Sequence, residues 1–294
     1  MDVSIIIVNY NTITLLCNAI DSVFEKTESV DYEIIVVDND STDNSENIIP
    51  QKYGNKVFYL KLPHNIGFGR ANNEGIKIAK GRNIFLLNPD IILINNAVKI
   101  LSDYLDENKD IGVCGGNLYN EHQNPTISFV RILPSIKEEL DQFFFYLPSR
   151  IIYGKNRDFN HTGKSMIVKA VIGADMMIRK EVLEEVGCFD FDFFMYHEEL
   201  ELCHRIGKAN YKIKNVPNAK IIHLEGKSLS CNTERRRKML NARTLFYKKT
   251  HSNLYRFIAD SIFYLTAVSR IIIFSVLRNK EKSFYWKFIL KNIR

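Results

Sequence analysis

The sequence is short of cysteine, and its cysteines form no motif. There are five in 294 residues, at positions 17, 114, 188, 203 and 231, with no Cys-x-x-Cys pair. An odd number without close spacing argues against both a disulfide framework and a cysteine-based zinc site. We therefore expect reduced thiols and a cytoplasmic setting.

The usual nucleotide-binding loops are also missing. No G-x-x-x-x-G-K-[ST] occurs, and in "NIGFGRANNEG" Asn72 stands where the third glycine of a dinucleotide loop would be. The segment still joins a glycine turn, at Gly67 and Gly69, to helix-forming residues. Its free amides and Arg70 can receive a phosphate. On this segment alone, however, the favoured interpretation is that the glycines simply form a tight turn.

Signals for export and for a membrane span are absent too. The chain starts directly with the strand-like "VSIIIVNY", so we expect no export. Residues 255–277 are nearly all apolar, but Arg256, Asp260 and Arg270 interrupt them and argue against a spanning helix.

What the chain has is enough apolar residue for one large core. It is 46% hydrophobic and 25% charged, which is enough for one large core and an appendage. We expect a globular domain at residues 1–230 and a helical appendage at 231–294. The net charge of +6 is unevenly spread and supports nucleic-acid binding only weakly, so no nucleic-acid partner is expected.

Strand-like and helix-like segments alternate in the first hundred residues. "SIIIVNY", "YEIIVVDN", "KVFYLKL" and "NIFLLNP" are typical of strands covered on both faces. Residues 14–26, 45–53 and 69–80 are suited to helices between them. This alternation predicts an α/β fold with a doubly wound, mostly parallel sheet flanked by helices.

Ligands of such sheets bind beyond the carboxyl ends of the strands. The polar residues predicted at those ends, and hence the candidates for ligand binding, are Asn9, Asp38, Asn39, Asp40, Asn88 and Asp90. Asp90 closes the apolar run in "LLNPDI". Because a carboxylate at the end of a buried strand is costly alone, Asp90 needs a partner, water or a cation.

Six separated segments together resemble one family. They are "SIIIVNYN", "VVDNDSTDNS", "HNIGFGRANNEGI", "LLNPDI", "GADMMIRKEVLEEVGCFD" and "FFMYHEELELCHRIGKANYKIKNVPNAKIIHLEG", and they cover about residues 3–227. In order and spacing they resemble family 2 glycosyltransferases, and within them the rhamnosyltransferase branch. The resemblance implies a GT-A fold, a nucleotide-diphospho-sugar donor, inversion at the anomeric carbon and, usually, a divalent cation.

The resemblance also implies a metal site. The family commonly has Asp-x-Asp where this chain has "NPD", so Asn88 replaces the first acid and Asp90 is the predicted ligand for Mg²⁺ or Mn²⁺. His223 in "KIIHLEG" is the predicted second ligand, with a hydrogen-bonded core histidine as the alternative. With so few protein ligands, the ion should bind weakly without donor.

Further donor contacts follow from the same resemblance. Asp38 is predicted to accept the imide N–H of uracil or thymine. Arg70 is predicted to neutralise the diphosphate, and Asn73 to orient the same loop. Asp43 is interpreted instead as a cap for the helix that begins near Ser45.

Two adjacent acids are the candidates for the catalytic base. Glu198 and Glu199 in "MYHEELELCHR" begin a segment whose apolar residues recur at helical spacing. The segment resembles the Glu-Asp pair of inverting members, in which the second acid is the base. Glu199 is therefore predicted to deprotonate the acceptor hydroxyl, with Glu198 as the alternative, in a single displacement without a covalent intermediate.

The acceptor is less well defined by the sequence. We expect a saccharide or lipid-linked saccharide in cell-surface polysaccharide synthesis, and dTDP-rhamnose as the donor with UDP-hexoses as the alternative. Residues 117–169 are the least family-like and the predicted source of acceptor specificity. Within them "DQFFFYLPSRIIYG" is interpreted as a packed helix rather than as an apolar acceptor wall.

The carboxyl-terminal "RNKEKSFYWKFILKNIR" mixes basic residues with Phe284, Tyr285, Trp286 and Phe288. This composition suits an anionic bilayer, so we expect peripheral contact with the inner face of the cell membrane; packing within the protein or a homodimer contact is the alternative.

Two other classes of protein remain. A nucleotidyltransferase would need a glycine-rich basic loop after the first strand, which "VNYNTITLL" does not provide. A non-catalytic sugar-nucleotide or glycan-binding module is disfavoured by the presence of Asp90, Glu199 and His223.

Overall fold

The computed structural model describes residues 1–224 and 233–293, which form two compact units. The first contains Met1–Arg131 and Asp158–Ser230, and the second contains Ile132–Arg157 and Cys231–Arg294. The sequence suggested a boundary at residue 230; in the structure the second unit begins near that point and also takes in residues 132–157.

The first unit opens with strands and helices in alternation. These are β1 (Val3–Asn9), α1 (Ile13–Lys26), β2 (Tyr32–Asp38), α2 (Ser45–Tyr53), β3 (Val57–Lys61), α3 (Phe68–Ile78) and β4 (Asn83–Leu87). Every residue of β1 and β4 is buried, which explains why these strands are continuously apolar and lack the alternation of half-exposed strands.

The chain continues with further strands and helices up to residue 224. In chain order the elements are β5 (Ile91–Leu93), α4 (Ala97–Glu107), β6 (Ile111–Tyr119), β7 (Phe129–Val130), α5 (Ile136–Phe143), α6 (Leu147–Tyr153), β8 (Met166–Val168), β9 (Ala170–Val171), β10 (Asp175–Arg179), α7 (Lys180–Val186), α8 (Glu198–Lys208) and β11 (Lys212–His223). Of these, α5 and α6 belong to the second unit.

The main sheet has nine strands in the order β3-β2-β1-β4-β10-β6-β11-β5, with β8 also paired to β11. From β3 to β4 all pairs are parallel, as predicted. Strand β10 is antiparallel to both of its neighbours, β4 and β6, so the sheet is mixed beyond β4. Strands β7 and β9 form a separate two-stranded sheet.

The parallel register fixes the position of the candidate site. Asn9 pairs with Asp38 at the carboxyl ends of β1 and β2, and Ile7 pairs with Leu87 at the end of β4. The three strand ends therefore meet at one edge of the sheet. Below them lies a core of fully buried aliphatic side chains, each of which stabilises the fold by about 1.5–3 kcal/mol.

The second unit is helical. In addition to α5 and α6 it contains α9 (Thr233–Thr250), α10 (Asn253–Val276) and α11 (Lys280–Asn292). Phe263, Ala267 and Ile289 form its buried apolar cluster, and Tyr285 and Trp286 of α11 pack against that cluster. Phe288 packs there too, so three of the four aromatic residues predicted to contact a membrane are used for packing within the unit, whereas Phe284 remains 67% exposed.

Candidate functional site

Asn9 and Asp38 form the floor of the candidate site. The Asn9 amide donates to Asp38 Oδ2 at 2.9 Å and to Ser45 Oγ at 2.9 Å, and the backbone N–H of Ser41 donates to Asp38 Oδ1 at 2.8 Å. Both side chains are fully buried. With both carboxylate oxygens engaged by the chain, Asp38 holds the loop after β2 in place; its contact with the base of a nucleotide remains a prediction.

Asp43 is the cap of two helices. Its Oδ1 accepts from the Ser45 N–H at 3.2 Å, at the start of α2, and its Oδ2 accepts from the Ile13 N–H at 2.8 Å, at the start of α1. The interpretation of Asp43 as a cap at the start of α2 is confirmed. The structure adds that Asp43 also accepts a hydrogen bond at the start of α1. Asp40 lies in the same loop, exposed and with a positive φ of 72°.

Asn39 connects this loop to the glycine segment. Its amide donates to Asn65 Oδ1 at 3.0 Å, and its Oδ1 accepts from the Ile66 N–H at 2.9 Å. Gly67 follows with φ of 90°, and a Cβ on it would collide with the carbonyl oxygen of Phe194. Glycine is required here both by backbone conformation and by space.

Arg70 and Asn73 both hold the segment after α7. Asn73 donates to the Phe189 carbonyl at 2.8 Å and accepts from the Phe189 N–H at 3.0 Å, so its amide is fully used by the backbone. Arg70 Nε donates to the Phe191 carbonyl at 2.6 Å. Asn73 therefore supports this segment. The two terminal nitrogens of Arg70 form no hydrogen bond with the described residues, so they can bind a ligand.

Asp90 and His223 are brought together by two strands that the sequence separates widely. Ile91 of β5 pairs with His223 of β11, and the Leu224 N–H donates to the Asp90 carbonyl at 2.9 Å. As a result Asp90 Oδ1 lies 3.4 Å from His223 Nε2, and both side chains are almost fully buried. Two ligand atoms bound to one cation at about 2.1–2.2 Å and at right angles would lie about 3 Å apart, so the pair fits a shared ion.

Asn88 adds an oxygen at this strand end. Its Oδ1 is buried and has no hydrogen-bond partner in the described chain, although its backbone N–H donates to the Ala174 carbonyl at 3.0 Å. Among residues 1–224 and 233–293 no cluster of three or more His, Cys, Asp or Glu side chains is suited to a metal. The remaining ligands of an ion bound here would therefore come from the donor phosphates and water.

Glu198 and Glu199 begin α8, as predicted. The two residues before them, Tyr196 and His197, have positive φ angles of 72° and 64°. For side chains of this size such a conformation costs about 1–3 kcal/mol per residue, and it is a feature of functional sites. This left-handed turn sets the direction in which the side chains of Glu198 and Glu199 project.

The two acids have different surroundings. Glu198 is 5% exposed, its Oε2 has no hydrogen-bond partner among the described residues, and its Cγ lies 3.4 Å from where a Cβ on Gly69 would be. Glu199 is half-buried and lies beside Gly173, close to the ring of Phe68. A Cβ on either glycine would meet these two acids only at ordinary van der Waals distances, so the glycines adjoin the pair without a clash that requires them.

Burial raises the pKa of Glu198 well above its usual range, and the neighbouring Glu199 charge raises it further. Burial also raises the pKa of Glu199. Because two adjacent buried carboxylates cannot both ionise cheaply, ionisation of one member of the pair disfavours ionisation of the other. The less buried Glu199 is the better candidate for the ionised member.

Two features of the site were not predicted. Arg205 pairs with Glu201 through two hydrogen bonds and donates to the Val186 and Cys188 carbonyls at 2.6 and 2.7 Å, which fixes α8 to the end of α7. The i,i+4 spacing of acid and arginine could have revealed it. Asp175, at the start of β10, is fully buried, and its only sequence signal is an acid inside "GADMMIR".

Comparison with known proteins identifies the class. Residues 4–187 match the family described as glycosyl transferase family 2. Because this match covers more than half of the chain, the chain belongs to that family and is a glycosyltransferase.

One relative and two solved structures show the range of similarity. The low-salt glycan biosynthesis hexosyltransferase Agl10 of Haloferax volcanii is 26% identical over 226 residues, which are 76% of this chain and 67% of the relative. The structure of GalNAc-T7 with UDP, GalNAc and Mn²⁺ is similar with a TM-score of 0.61 and 15% identity, over 84% of this chain and 48% of that one.

The structure of S. aureus TarS is similar with a TM-score of 0.57 and 18% identity, over 90% of this chain and 43% of that one. The chain therefore spans less than half of either solved protein. At such identities the two structures establish the fold alone, and they confirm the predicted GT-A fold.

Proposed function

We propose that this glycosyltransferase moves a sugar from a nucleotide diphosphate to a saccharide hydroxyl with inversion, in a metal-dependent reaction. The observation that carries the proposal is the contact of Asp90 with His223 at 3.4 Å. Asn88, in the same strand-end motif, has a buried side-chain oxygen without a hydrogen-bond partner among the described residues. A buried carboxylate, an imidazole and an amide oxygen at one strand end are a donor set that Mn²⁺ or Mg²⁺ accepts. When bound, such an ion stabilises the charge on the leaving diphosphate.

The residues of the chain have separate tasks in this reaction. Asp90 and His223 hold the cation, and Arg70 pairs with the diphosphate at the amino end of α3. Asn9, Asp38 and Asp40 shape the loop over the base of the nucleotide. Glu199 takes the proton from the acceptor hydroxyl as that oxygen attacks the anomeric carbon.

Glu198 supports the ionised state of Glu199. A neutral Glu198 adds no second negative charge beside Glu199, so Glu199 ionises more readily than it would beside an ionised neighbour. This division of roles agrees with the deeper burial of Glu198.

The donor and the acceptor are proposed by analogy. The structure of GalNAc-T7 contains UDP and Mn²⁺, and a structure of S. aureus TarS residues 1–349 contains UDP; these ligands support a nucleotide-sugar donor and a divalent cation. dTDP-rhamnose remains the preferred donor on the sequence resemblance, and a UDP-hexose is the alternative. The similarity to a glycan-biosynthesis hexosyltransferase and to a poly(ribitol-phosphate) β-glucosyltransferase of Bacillus spizizenii supports a cytoplasmic role in cell-surface glycan synthesis on a saccharide or lipid-linked acceptor.

The test is metal-dependent turnover on a panel of nucleotide sugars. Release of nucleoside diphosphate from dTDP-rhamnose and from UDP-hexoses should depend on added Mn²⁺ or Mg²⁺ and should be lost in Glu199→Gln. Glu184→Gln, which removes an exposed acid on α7, is the matched control and should behave as wild type. If no donor is turned over and nucleotide sugars still bind, the chain is a binding module instead.

A further inference from the structure

Helix α10 exposes large apolar side chains on one face, and its opposite face is packed inside the helical unit. Its outer face consists of large apolar side chains that are 56–77% exposed, namely Leu254, Phe257, Leu265, Ile272 and Val276. Its buried residues are Ala259, Phe263, Thr266, Ala267 and Arg270. At about 100° per residue these two sets lie on opposite faces, so the outer face is apolar where a helix on a soluble protein is usually polar.

Neighbouring helices satisfy the charges on the inner side of α10. Arg270 donates to the carbonyls of Gln142 and Phe143, at 2.6 and 3.1 Å, at the end of α5. Asp260 accepts from Arg243 of α9 at 2.8 Å, and Arg243 also binds the buried Glu139 of α5 at 2.7 Å. In the sequence, Asp260 and Arg270 argue against a spanning helix. Because both are bonded to neighbouring helices, they do not interrupt the outer face of α10.

The neighbouring α11 supplies positive charge. Arg278, Lys280, Lys282, Lys287 and Lys291 are exposed, with Glu281 as the acid among them. Tyr285 and Trp286 pack inward, so α11 presents mainly cations to its surroundings. Such a basic rim beside an apolar face matches the headgroup region of an anionic bilayer.

We propose that the outer face of α10, together with the basic residues of α11, binds an anionic lipid bilayer and lies in its interface. This proposal goes beyond sugar transfer and moves the membrane contact from the aromatic residues of the carboxyl-terminal tail to α10. A second copy of the chain is a poorer occupant, because a symmetric contact over this face would bring the two sets of α11 cations together.

The helix lies in the interface and does not cross the membrane. By length and composition α10 could span a bilayer, since it has 24 residues and its most apolar 18-residue stretch has a mean hydropathy of 1.7. Crossing would, however, carry Arg270 and the buried Arg243–Glu139 pair into the hydrocarbon together with α10, because these groups are bonded to it or to one another. Only the outer face can enter lipid without breaking those bonds.

The test uses the full chain and vesicles of phosphatidylcholine, alone or mixed with phosphatidylglycerol. Wild-type protein should co-sediment with the anionic vesicles, less so at higher salt. The double variant Leu265→Ser, Ile272→Ser should bind about 10-fold more weakly, because two buried aliphatic side chains are lost from the lipid contact. Ile127→Ser, Ile167→Ser, which changes two exposed isoleucines of the first unit, is the matched control and should bind as wild type.

Three further measurements make the outcome decisive. Circular dichroism and donor hydrolysis should be unchanged in the α10 variant, so a failure of membrane binding and a failure of sugar transfer are distinguishable. Alkaline carbonate should release the wild-type protein from membranes; retention would show a spanning helix and overturn the interfacial placement. No binding to anionic vesicles at low salt, or a dimer in sedimentation experiments that the α10 variant abolishes, would overturn the proposal.

Discussion

The carboxylate of Asp90 and the imidazole of His223 lie 3.4 Å apart because β5 and β11 pair in antiparallel register at the end of the sheet. In the sequence the two residues belong to separate motifs, Asp90 to "LLNPDI" and His223 to "KIIHLEG". The pairing of Ile91 with His223 places the histidine beside the strand end where Asp90 stands. A metal site made in this way depends on the fold, and it cannot form in the unfolded chain.

The first prediction concerns this contact. Asp90→Asn keeps the shape of the side chain but removes its charge, so turnover should fall by about 100-fold or more while thermal unfolding is little changed. Calorimetric titration with Mn²⁺ in the presence of donor should show weaker binding. Asp103→Asn, an exposed acid on α4 paired with Lys99, is the control and should retain both properties. Full activity of wild-type enzyme after thorough chelation would contradict the metal site.

The second prediction separates the two acids of α8. Glu199→Gln cannot accept a proton, so kcat should fall by about 100-fold or more while donor affinity is retained. Glu198→Gln should have a much smaller effect, since glutamine resembles the protonated carboxyl that burial favours at this position. If Glu198→Gln is the more damaging change, the two roles must be exchanged.

The pH dependence of wild-type enzyme gives an independent check. Burial raises the pKa of Glu199, and the base works only in its ionised form. The rate should therefore rise with pH through a range above the usual glutamate pKa of about 4.3. A rate already maximal near that value would argue against Glu199 as the base.

The third prediction tests the turn before α3. Gly67→Ala introduces a Cβ that collides with the Phe194 carbonyl at a φ of 90°, so it should both destabilise the fold and weaken donor binding. Gly163→Ala is a matched control, because Gly163 also has a positive φ, of 71°, but no atom near its Cβ position. Gly163→Ala should lower the free energy of unfolding only by the cost of placing a residue with a Cβ in the left-handed conformation, about 1–2 kcal/mol. Equal loss of stability in both would show that the contact with Phe194 is unimportant.

Much of the first half of the fold could be predicted from the sequence, because its strands are continuous apolar runs separated by helical segments. Helix α2 has the predicted bounds, Ser45–Tyr53. Strand β10 could not be placed, since its antiparallel pairing with β4 and β6 depends on residues far away in the chain. A short apolar run carries no signal for the direction of its partners.

The surroundings of the site residues were harder to predict than their identity. The sequence shows only that the Asn73 side-chain amide can donate and accept hydrogen bonds. The fold shows that the backbone carbonyl and N–H of Phe189 use both functions. The stretch that contains Ile151 and Ile152 was interpreted as packed, and that interpretation is wrong for these two side chains, which are 74% and 70% exposed. Apolar composition does not distinguish a core face from a face left open.

The last prediction concerns Asp175, a fully buried acid whose Oδ2 accepts from the Gly116 N–H at 2.6 Å and whose Oδ1 has no partner among the described residues. Burial raises the pKa of Asp175 well above its usual value. For an acid whose pKa is higher in the folded chain than in the unfolded chain, the unfolded chain binds fewer protons above about pH 4. The contribution of Asp175 to stability is therefore complete at low pH and is lost as the pH rises toward its pKa in the folded protein.

Asp175→Asn removes that loss, because asparagine stays neutral and its oxygen can still accept from Gly116. The variant should be more stable than wild type at about pH 8, and the advantage should shrink at about pH 5. Urea unfolding at the two pH values measures the difference, with Asp103→Asn as an exposed control. Burial also raises the pKa of Glu138, to about 8, so some pH dependence should remain in the variant. If Asp175→Asn is less stable than wild type at both pH values, the ionised carboxylate is needed in the fold and the assignment of its protonation is wrong.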